Sequence, residues 1–284
     1  MHSEFPPSEL ASTDLAFSIV EPRGDQRWST WTAITPSQRG PQPWPDWVIT
    51  SDGAIDTELG VVKTGKEADL FLIERFAPGL TYDDPPTHRS ILAAKRYRTA
   101  EHRDFTRSSE YQEGRRTRRS RDARALEKGS AYGRSLAADH WAFAEFEALS
   151  VMYERGAPVP YPVQIDGTEL LMEFIGEGTV AAPRLAQSRE DPAELRPLLE
   201  QVIDAMRLFA RAGYAHGDLS PYNLLVHDGR IVVIDLPQIV DTIANPNGIA
   251  LLHRDCVNIA EWFTRKRVEV DAEQLFSELL AELF

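Results

Sequence analysis

Cysteine is almost absent: the 284 residues hold one, Cys256. A single thiol excludes an internal disulfide framework and a cysteine-built zinc site. Long apolar runs are absent too, none approaching the roughly 18 residues that a bilayer span needs. The opening Met-His-Ser-Glu-Phe-Pro-Pro lacks the basic and apolar stretches of a secretory leader, so a cytoplasmic protein without membrane contact is expected. Positive charge is in deficit, with 31 Lys plus Arg against 44 Asp plus Glu and a formal net charge of −13. Such an acidic chain is expected to be soluble and, taken whole, a poor general binder of nucleic acid. Apolar material is plentiful at 42% of residues, enough for a packed core in a chain about twice the usual domain size.

The composition changes along the chain. Residues 1–53 hold seven of the 19 prolines and four of the six tryptophans, Trp28, Trp31, Trp44 and Trp47. This reads as an irregular arm whose rings dock on a folded body. From about 54 to 98 three short strands are expected: Val61-Val62 and Leu70–Ile73 around the turn Lys63-Thr64-Gly65-Lys66, then Ile91–Lys95 after a Pro/Asp-rich loop. Ala142, Phe146, Leu149 and Tyr153 recur at helical spacing and predict a helix over 139–154, stopped by Gly156 and Pro158. A strand pair follows at about 161–175, then a helix over 193–212. His227-Asp228-Gly229 predicts a hairpin turn. Helices at about 249–265 and 272–283 close the chain, the last with a capping-box-like Asp271 and Gln274. Strands plus one helix, then mostly helices with a small hairpin, give an α+β class in two lobes: arm 1–53, N-lobe 54–175, C-lobe 176–284.

The densest chemistry lies at His216-Gly217-Asp218-Leu219-Ser220-Pro221-Tyr222-Asn223, followed by Ile234-Asp235. Asp218 and Asn223 stand five apart on one loop, and Asp235 lies 17 beyond Asp218 at the end of a hairpin. Two carboxylates and an amide oxygen can so be aimed into one cleft. Phosphoryl transfer asks for little more: a group to orient the nucleophile, oxygen ligands for Mg²⁺, and a cation on the phosphates. Gly60 to Lys66 also fits Gly-x4-Gly-Lys, but Glu67 stands where a Walker loop needs Ser or Thr, and the run after it reads as a strand.

This loop resembles the catalytic loop of the protein-kinase-like superfamily, which includes aminoglycoside and choline phosphotransferases. Further motifs select the RIO-type atypical protein kinases. Lys63-Thr64-Gly65-Lys66-Glu67-Ala68 is similar to their Ser-Thr-Gly-Lys-Glu-Ala phosphate loop, departing only at Lys63. Trp141 to Phe146, Leu171 to Gly176, Ile234-Asp235-Leu236-Pro237-Gln238 and Arg254-Asp255-Cys256-Val257-Asn258-Ile259 match in order, over about residues 55–268. The branch with an N-terminal winged helix fits poorly, since residues 1–53 show no such pattern. No Phe-Gly follows Asp235 and no Ala-Pro-Glu follows later, so a conventional activation loop is not expected.

The resemblance implies a two-lobed kinase-like fold and an ATP-dependent serine/threonine kinase or ATPase using Mg²⁺ or Mn²⁺. It implies Asp218 as the residue orienting the nucleophile, with Asn223 and Asp235 on the metal. Asp235 is also the position of an aspartyl-phosphate in the family. Thr64, Gly65 and Lys66 would cover the ATP phosphates, Lys95 would pair with them, and Glu145 would hold Lys95. Glu173 and Ile175 would meet adenine through main chain. The family is associated with small-ribosomal-subunit maturation; a small-molecule phosphotransferase and a non-catalytic ATP-binding assembly factor are the alternatives.

Residues 96–134 run against the overall charge. Eleven arginines and Lys128 face six acids, for a net +6 between flanks of −6 and −13. The segment stands where RIO proteins carry a flexible loop. With Phe105, Tyr111 and Tyr132 it could contact ribosomal RNA or the ribosomal subunit, while the plainer reading is a solvated loop that closes over ATP or an acidic partner.

Overall fold

The computed structural model describes residues 22–77, 89–98, 131–237 and 239–284, with side chains from 138 onward in the first helix. The Pro/Asp-rich loop and most of the basic segment therefore lie outside the described residues, as does the start of the arm.

Six strands build one antiparallel sheet: β1 (Gln26–Trp28), β2 (Ile55–Thr64), β3 (Ala68–Phe76), β4 (Arg89–Tyr97), β5 (Pro162–Asp166) and β6 (Glu169–Glu173), in the order β1-β2-β3-β4-β6-β5. The three strands expected to be short run to 10, 9 and 9 residues. Their polar halves, Asp56 and Glu58 in β2 and Glu74 and Arg75 in β3, continue the ladder without adding to the apolar runs visible in the sequence. Helix α1 (Ala131–Glu154) follows β4 and starts eight residues earlier than its apolar spacing indicates. It ends where Gly156 takes a positive φ of 76° and the Ala157 N–H returns to the Met152 carbonyl.

The sheet has two differently covered faces. On one, Tyr97, Leu170 and Ile165 join Ala142, Phe146, Leu149 and Met152 of α1. On the other, Ile73, Leu92, Ala94, Val163 and Leu171 are covered by Trp31 and Val48, with Trp44 and Trp47 alongside. Trp31 meets Trp44 edge-on at 5.1 Å, and Trp47 meets Tyr161 at 5.7 Å. Burying a large apolar side chain stabilises by about 1.5–3 kcal/mol, so these rings fasten the arm firmly to the sheet. The arm is less irregular than its prolines imply, since β1 adds an edge strand by pairing Gln26–Trp28 with 55–57. Under it Arg75, fully buried, binds Asp56 through Nε (2.6 Å) and Nη2 (2.9 Å) and reaches Gln164 through Nη1 (2.8 Å). Gln164 in turn donates to the Thr30 hydroxyl (2.8 Å), so one polar chain links β3, β2, β5 and the arm.

After β6 come a two-residue-strand hairpin, β7 (Gly176–Glu177) with β8 (Val180–Ala181), and helix α2 (Pro192–Arg211). Pro192 sits at the first helical position and the Glu194 carboxylate accepts the Asp191 N–H (3.3 Å). Leu195, Leu198, Leu199, Val202, Met206 and Phe209 form its buried stripe. Then follow β9 (Tyr214–Ala215), β10 (Leu224–His227), β11 (Arg230–Val233), β12 (Val240–Asp241), α3 (Gly248–Arg265) and α4 (Ala272–Ala281). The expected Asp-Gly turn joins β10 to β11, with Asp228 and Gly229 both at positive φ. At α4 only half of the expected capping box forms. Asp271 caps the N–H groups of Glu273 and Gln274, whereas the Gln274 side chain goes forward to Glu278 (3.0 Å). Among the described residues no helix is long and apolar enough to cross a membrane. The result is the two-lobed α+β architecture, the chain leaving the six-stranded sheet after Glu173.

Candidate active site

The site lies between the sheet and the hairpin β10–β11, and it is built from backbone anchoring outward. Between β9 and β10 the chain must turn sharply, which it does with Gly217 at φ 84°. Three residues of α3 then grip this loop. The buried carboxylate of Asp255 accepts the Gly217 and Leu219 N–H groups, both at 2.8 Å. Asn258 donates to the Leu219 carbonyl (3.0 Å), and Arg254 donates to the Gly217 carbonyl. His216, also buried, accepts the Asp218 N–H weakly at Nδ1 and donates from Nε2 to the Ile234 carbonyl (3.1 Å). Burial raises the Asp255 carboxyl above its usual range, opposed by His216 and by the two backbone N–H groups. With the backbone so held, Asp218 projects to the surface of the cleft. The Asn223 amide donates to the Asp218 carbonyl (3.0 Å), which leaves its Oδ1 as an acceptor.

Asp235 follows β11 in a left-handed conformation, φ 67°, that non-glycine residues adopt only when their surroundings hold it. Those surroundings are visible: Ile234 N–H bonds to Asn223 O (2.9 Å) and Leu236 N–H to Glu145 Oε1 (3.2 Å). Lys95, from the cleft end of β4, donates to Glu145 Oε1 at 2.8 Å and to Asp235 Oδ1 at 2.7 Å. Glu145 is buried on α1, while Glu147 nearby is exposed, which singles out Glu145 as the partner. Its second oxygen takes the Tyr97 hydroxyl, and the Tyr97 ring lies 5.4 Å from the Lys95 ammonium. Burial alone would lower the Lys95 pKa, but Asp235 and Glu145 outweigh it and hold the ammonium well above its ordinary value. Lys95 in turn pulls the Asp235 carboxyl down to about 2, against burial.

The phosphate-loop motif is a turn between two strands. Ala68–Phe76 is a strand, as expected against the Walker-like match. Gly65 donates to the Ala68 carbonyl (3.0 Å), and a Cβ at Gly65 would lie only 2.8 Å from that oxygen. Asp69 accepts Arg98 (2.8 and 2.6 Å), and the Thr64 hydroxyl helps hold its carboxyl below the usual range. Lys66 is exposed at the tip. Burial raises the Glu67 carboxyl, and so does the charge of Asp235. Opposite, Glu173 ends β6 with its N–H on the Tyr161 carbonyl (2.8 Å) and its carboxylate on the Tyr161 N–H (3.0 Å). The Ile175 carbonyl accepts Ala182 N–H (2.9 Å), while its own N–H has no protein acceptor among the described residues.

The structure thus brings Lys95, Glu145 and Asp235 into contact and puts Asp218 and Asn223 on the adjoining loop. Thr64–Lys66 and Glu173–Ile175 lie at the two rims. Asp255, Asn258, His216 and Tyr97 complete the arrangement, although Asp255 and Asn258 stand out in the sequence only as part of a family signature and Tyr97 carries no signal there. The donors present suit Mg²⁺, a hard ion that takes one or two protein oxygens and fills the rest of its shell with phosphate and water. Only residues 236–247 separate Asp235 from α3, too few for a conventional activation segment.

Comparison with known proteins places the chain in a family. The RIO domain family model matches residues 85–275. The RIO-type serine/threonine-protein kinase Rio1 of Haloferax volcanii is 37% identical over 229 residues, 80% of this chain and 70% of that protein. The human serine/threonine-protein kinase RIO3 is 28% identical over 226 residues, 78% of this chain but 41% of that protein. In three dimensions the chain is similar in fold to the Rio2 kinase of Chaetomium thermophilum in its ADP/Mg²⁺-phosphoaspartate complex, with a TM-score of 0.52 at 21% identity, covering 80% of this chain and 66% of that one. With a RIO domain spanning more than half its length, the chain belongs to the RIO family.

Proposed function

We propose that the protein is an ATP-dependent phosphoryl transferase of the serine/threonine kinase kind, using Mg²⁺. The observation that carries this reading is the Lys95 ammonium held between Glu145 and Asp235, with Asp218 and Asn223 on a loop fixed by α3. Lys95 pairs with the nucleotide phosphates, and Glu145 fixes this long cation in one place. Glu173 and Ile175 meet adenine through main chain, and the turn at Thr64, Gly65 and Lys66 lies over the phosphates. Asn223 and Asp235 hold Mg²⁺, which when bound offsets the charge that develops on the phosphoryl oxygens. Asp218 accepts a hydrogen bond from the incoming hydroxyl and orients it. The hydroxyl oxygen bonds to the γ-phosphorus, the bond to the β,γ-bridging oxygen breaks, ADP leaves, and the proton passes to Asp218.

Water as the acceptor gives ATPase turnover. Asp235 as the acceptor gives an acyl-phosphate, a reading supported by the phosphoaspartate in the Chaetomium Rio2 complex. A cytoplasmic setting goes with an ATP-using site, and contact of the basic segment at 96–134 with ribosomal RNA is the matching proposal for a partner. Incubation with γ-labelled ATP tests the function: label is released or transferred in the presence of Mg²⁺ and not after chelation. Label on the protein that hydroxylamine removes identifies the acyl-phosphate, whereas phosphoserine survives. No release and no transfer would refute the assignment.

A further inference from the structure

We propose that Lys63 and Arg184 form a second cationic clamp, one jaw from each lobe, that grips the terminal phosphate of the nucleotide and makes the site prefer a triphosphate to a diphosphate. This rests on the nucleotide reading above and extends it to specificity.

The register of the sheet puts Lys63 where such a clamp requires it. Lys63 stands opposite Leu70 and Leu70 opposite Lys95, and directly opposed residues share a face. Lys63 and Lys95 therefore project toward the cleft from one cross-strand row, about 9.5 Å apart at two strand spacings. The alignment depends on an irregularity: Val61 pairs with Phe71 but Lys63 with Leu70, so Val62 is an extra residue. Without that bulge Val62 would oppose Leu70 and Lys63 would fall on the opposite face. Bulges recur beside active sites for this reason, since they re-aim a side chain.

Arg184 approaches from the other lobe, where it bridges Leu225 of β10, the strand that leads away from Asn223. The Lys63 ammonium feels Arg184, Asp235 and Lys95; burial and the two cations lower its pKa while Asp235 opposes them. Lys95 is already matched by two carboxylates, but neither Lys63 nor Arg184 makes an ion pair among the described residues. Two unmatched cations within electrostatic reach of each other repel until an anion comes between them. The inner phosphates belong to Lys95. Lys63 stands two strands farther out, beside the turn at Thr64–Lys66, and is left with the terminal phosphate. It is also the one position at which this loop departs from the RIO pattern, which carries serine there.

The test is equilibrium binding of Mg²⁺-ADP and of a non-hydrolysable Mg²⁺-ATP analogue to the full chain and its variants. Lys63→Ser and Arg184→Gln are each expected to weaken the triphosphate analogue about tenfold, the loss of one charge-assisted contact, and ADP by less than about twofold. Lys63→Arg retains the preference, which separates loss of charge from local damage. Equal weakening for both nucleotides, or no weakening in either charge-removing variant, would overturn the clamp while leaving the nucleotide reading intact. Failure of the unaltered protein to bind either nucleotide would overturn both.

Discussion

The Lys95 ammonium lies 2.7 Å from Asp235 Oδ1, so the protein as it stands holds the cation proposed to pair with the phosphates on the carboxylate proposed to bind the metal ion. The ion pair joins the two lobes, because Lys95 comes from the sheet and Asp235 from the hairpin of the helical lobe. On the proposed function, Mg²⁺ with nucleotide competes with Lys95 for Asp235.

That pair has a consequence for acid stability. The Asp235 carboxyl is held down to about 2, against a usual 3.8, chiefly by Lys95. The folded state thus binds this proton less readily than the unfolded chain does, so the pair adds stability above about pH 4 and loses it as the pH falls toward about 2. Urea unfolding at stepped pH is expected to show a flatter acid limb for Asp235→Asn than for the unaltered protein. Identical limbs would mean that the pair does not form in solution.

Tyr97 positions Glu145. Tyr97→Phe leaves a buried carboxylate oxygen without its donor, at a cost of about 1–3 kcal/mol in unfolding free energy. Because Glu145 then holds Lys95 less firmly, turnover is expected to fall by about threefold to tenfold as well. Unchanged stability and turnover would remove Tyr97 from the account.

Asp255 anchors the loop that carries Asp218 and Asn223. Asp255→Ala strips the acceptor from two buried N–H groups, Gly217 and Leu219, and is expected to cost about 2–5 kcal/mol. Asp255→Asn keeps the shape and one acceptor oxygen, so it should fold. Its expected signature is a lowered kcat with little change in the KM for ATP, since Asp218 is misaimed while the phosphate-binding residues stay in place. A raised KM at constant kcat would contradict that role.

The buried Arg75–Asp56 pair predicts a purely structural effect. Asp56→Ala leaves a guanidinium with no carboxylate in an apolar setting and should lower stability by about 3–5 kcal/mol. Replacing both residues with apolar ones of similar volume should recover much of the loss. Chemical denaturation of the single and double variants measures both, and an additive double variant would exclude the pairing.

The reach of the sequence followed the distance between interacting residues. Asp218, Asn223 and Asp235 were legible because a loop and a hairpin bring them together at short spacing. Helix α2 was legible because its apolar stripe is unbroken. Lys95 and Glu145 stand 50 residues apart, and no local pattern could pair them; they came from the family resemblance. β1 escaped notice because three residues of mixed polarity carry no period, and their partner strand lies about thirty residues on. Asp255 carried no role because it binds backbone N–H groups, which look the same in every sequence. The bulge at Val62 was invisible too, since strand register is a property of two strands at once.

The most direct measurement is Mg²⁺-dependent ATP turnover by the unaltered protein, Asp218→Ala and Asp235→Ala, side by side. The account predicts turnover in the first and a fall of about 10²–10⁴ in the second, as expected for loss of a nucleophile-orienting carboxylate, with turnover lost in the third together with its response to Mg²⁺. Turnover that persists undiminished in both variants would contradict it.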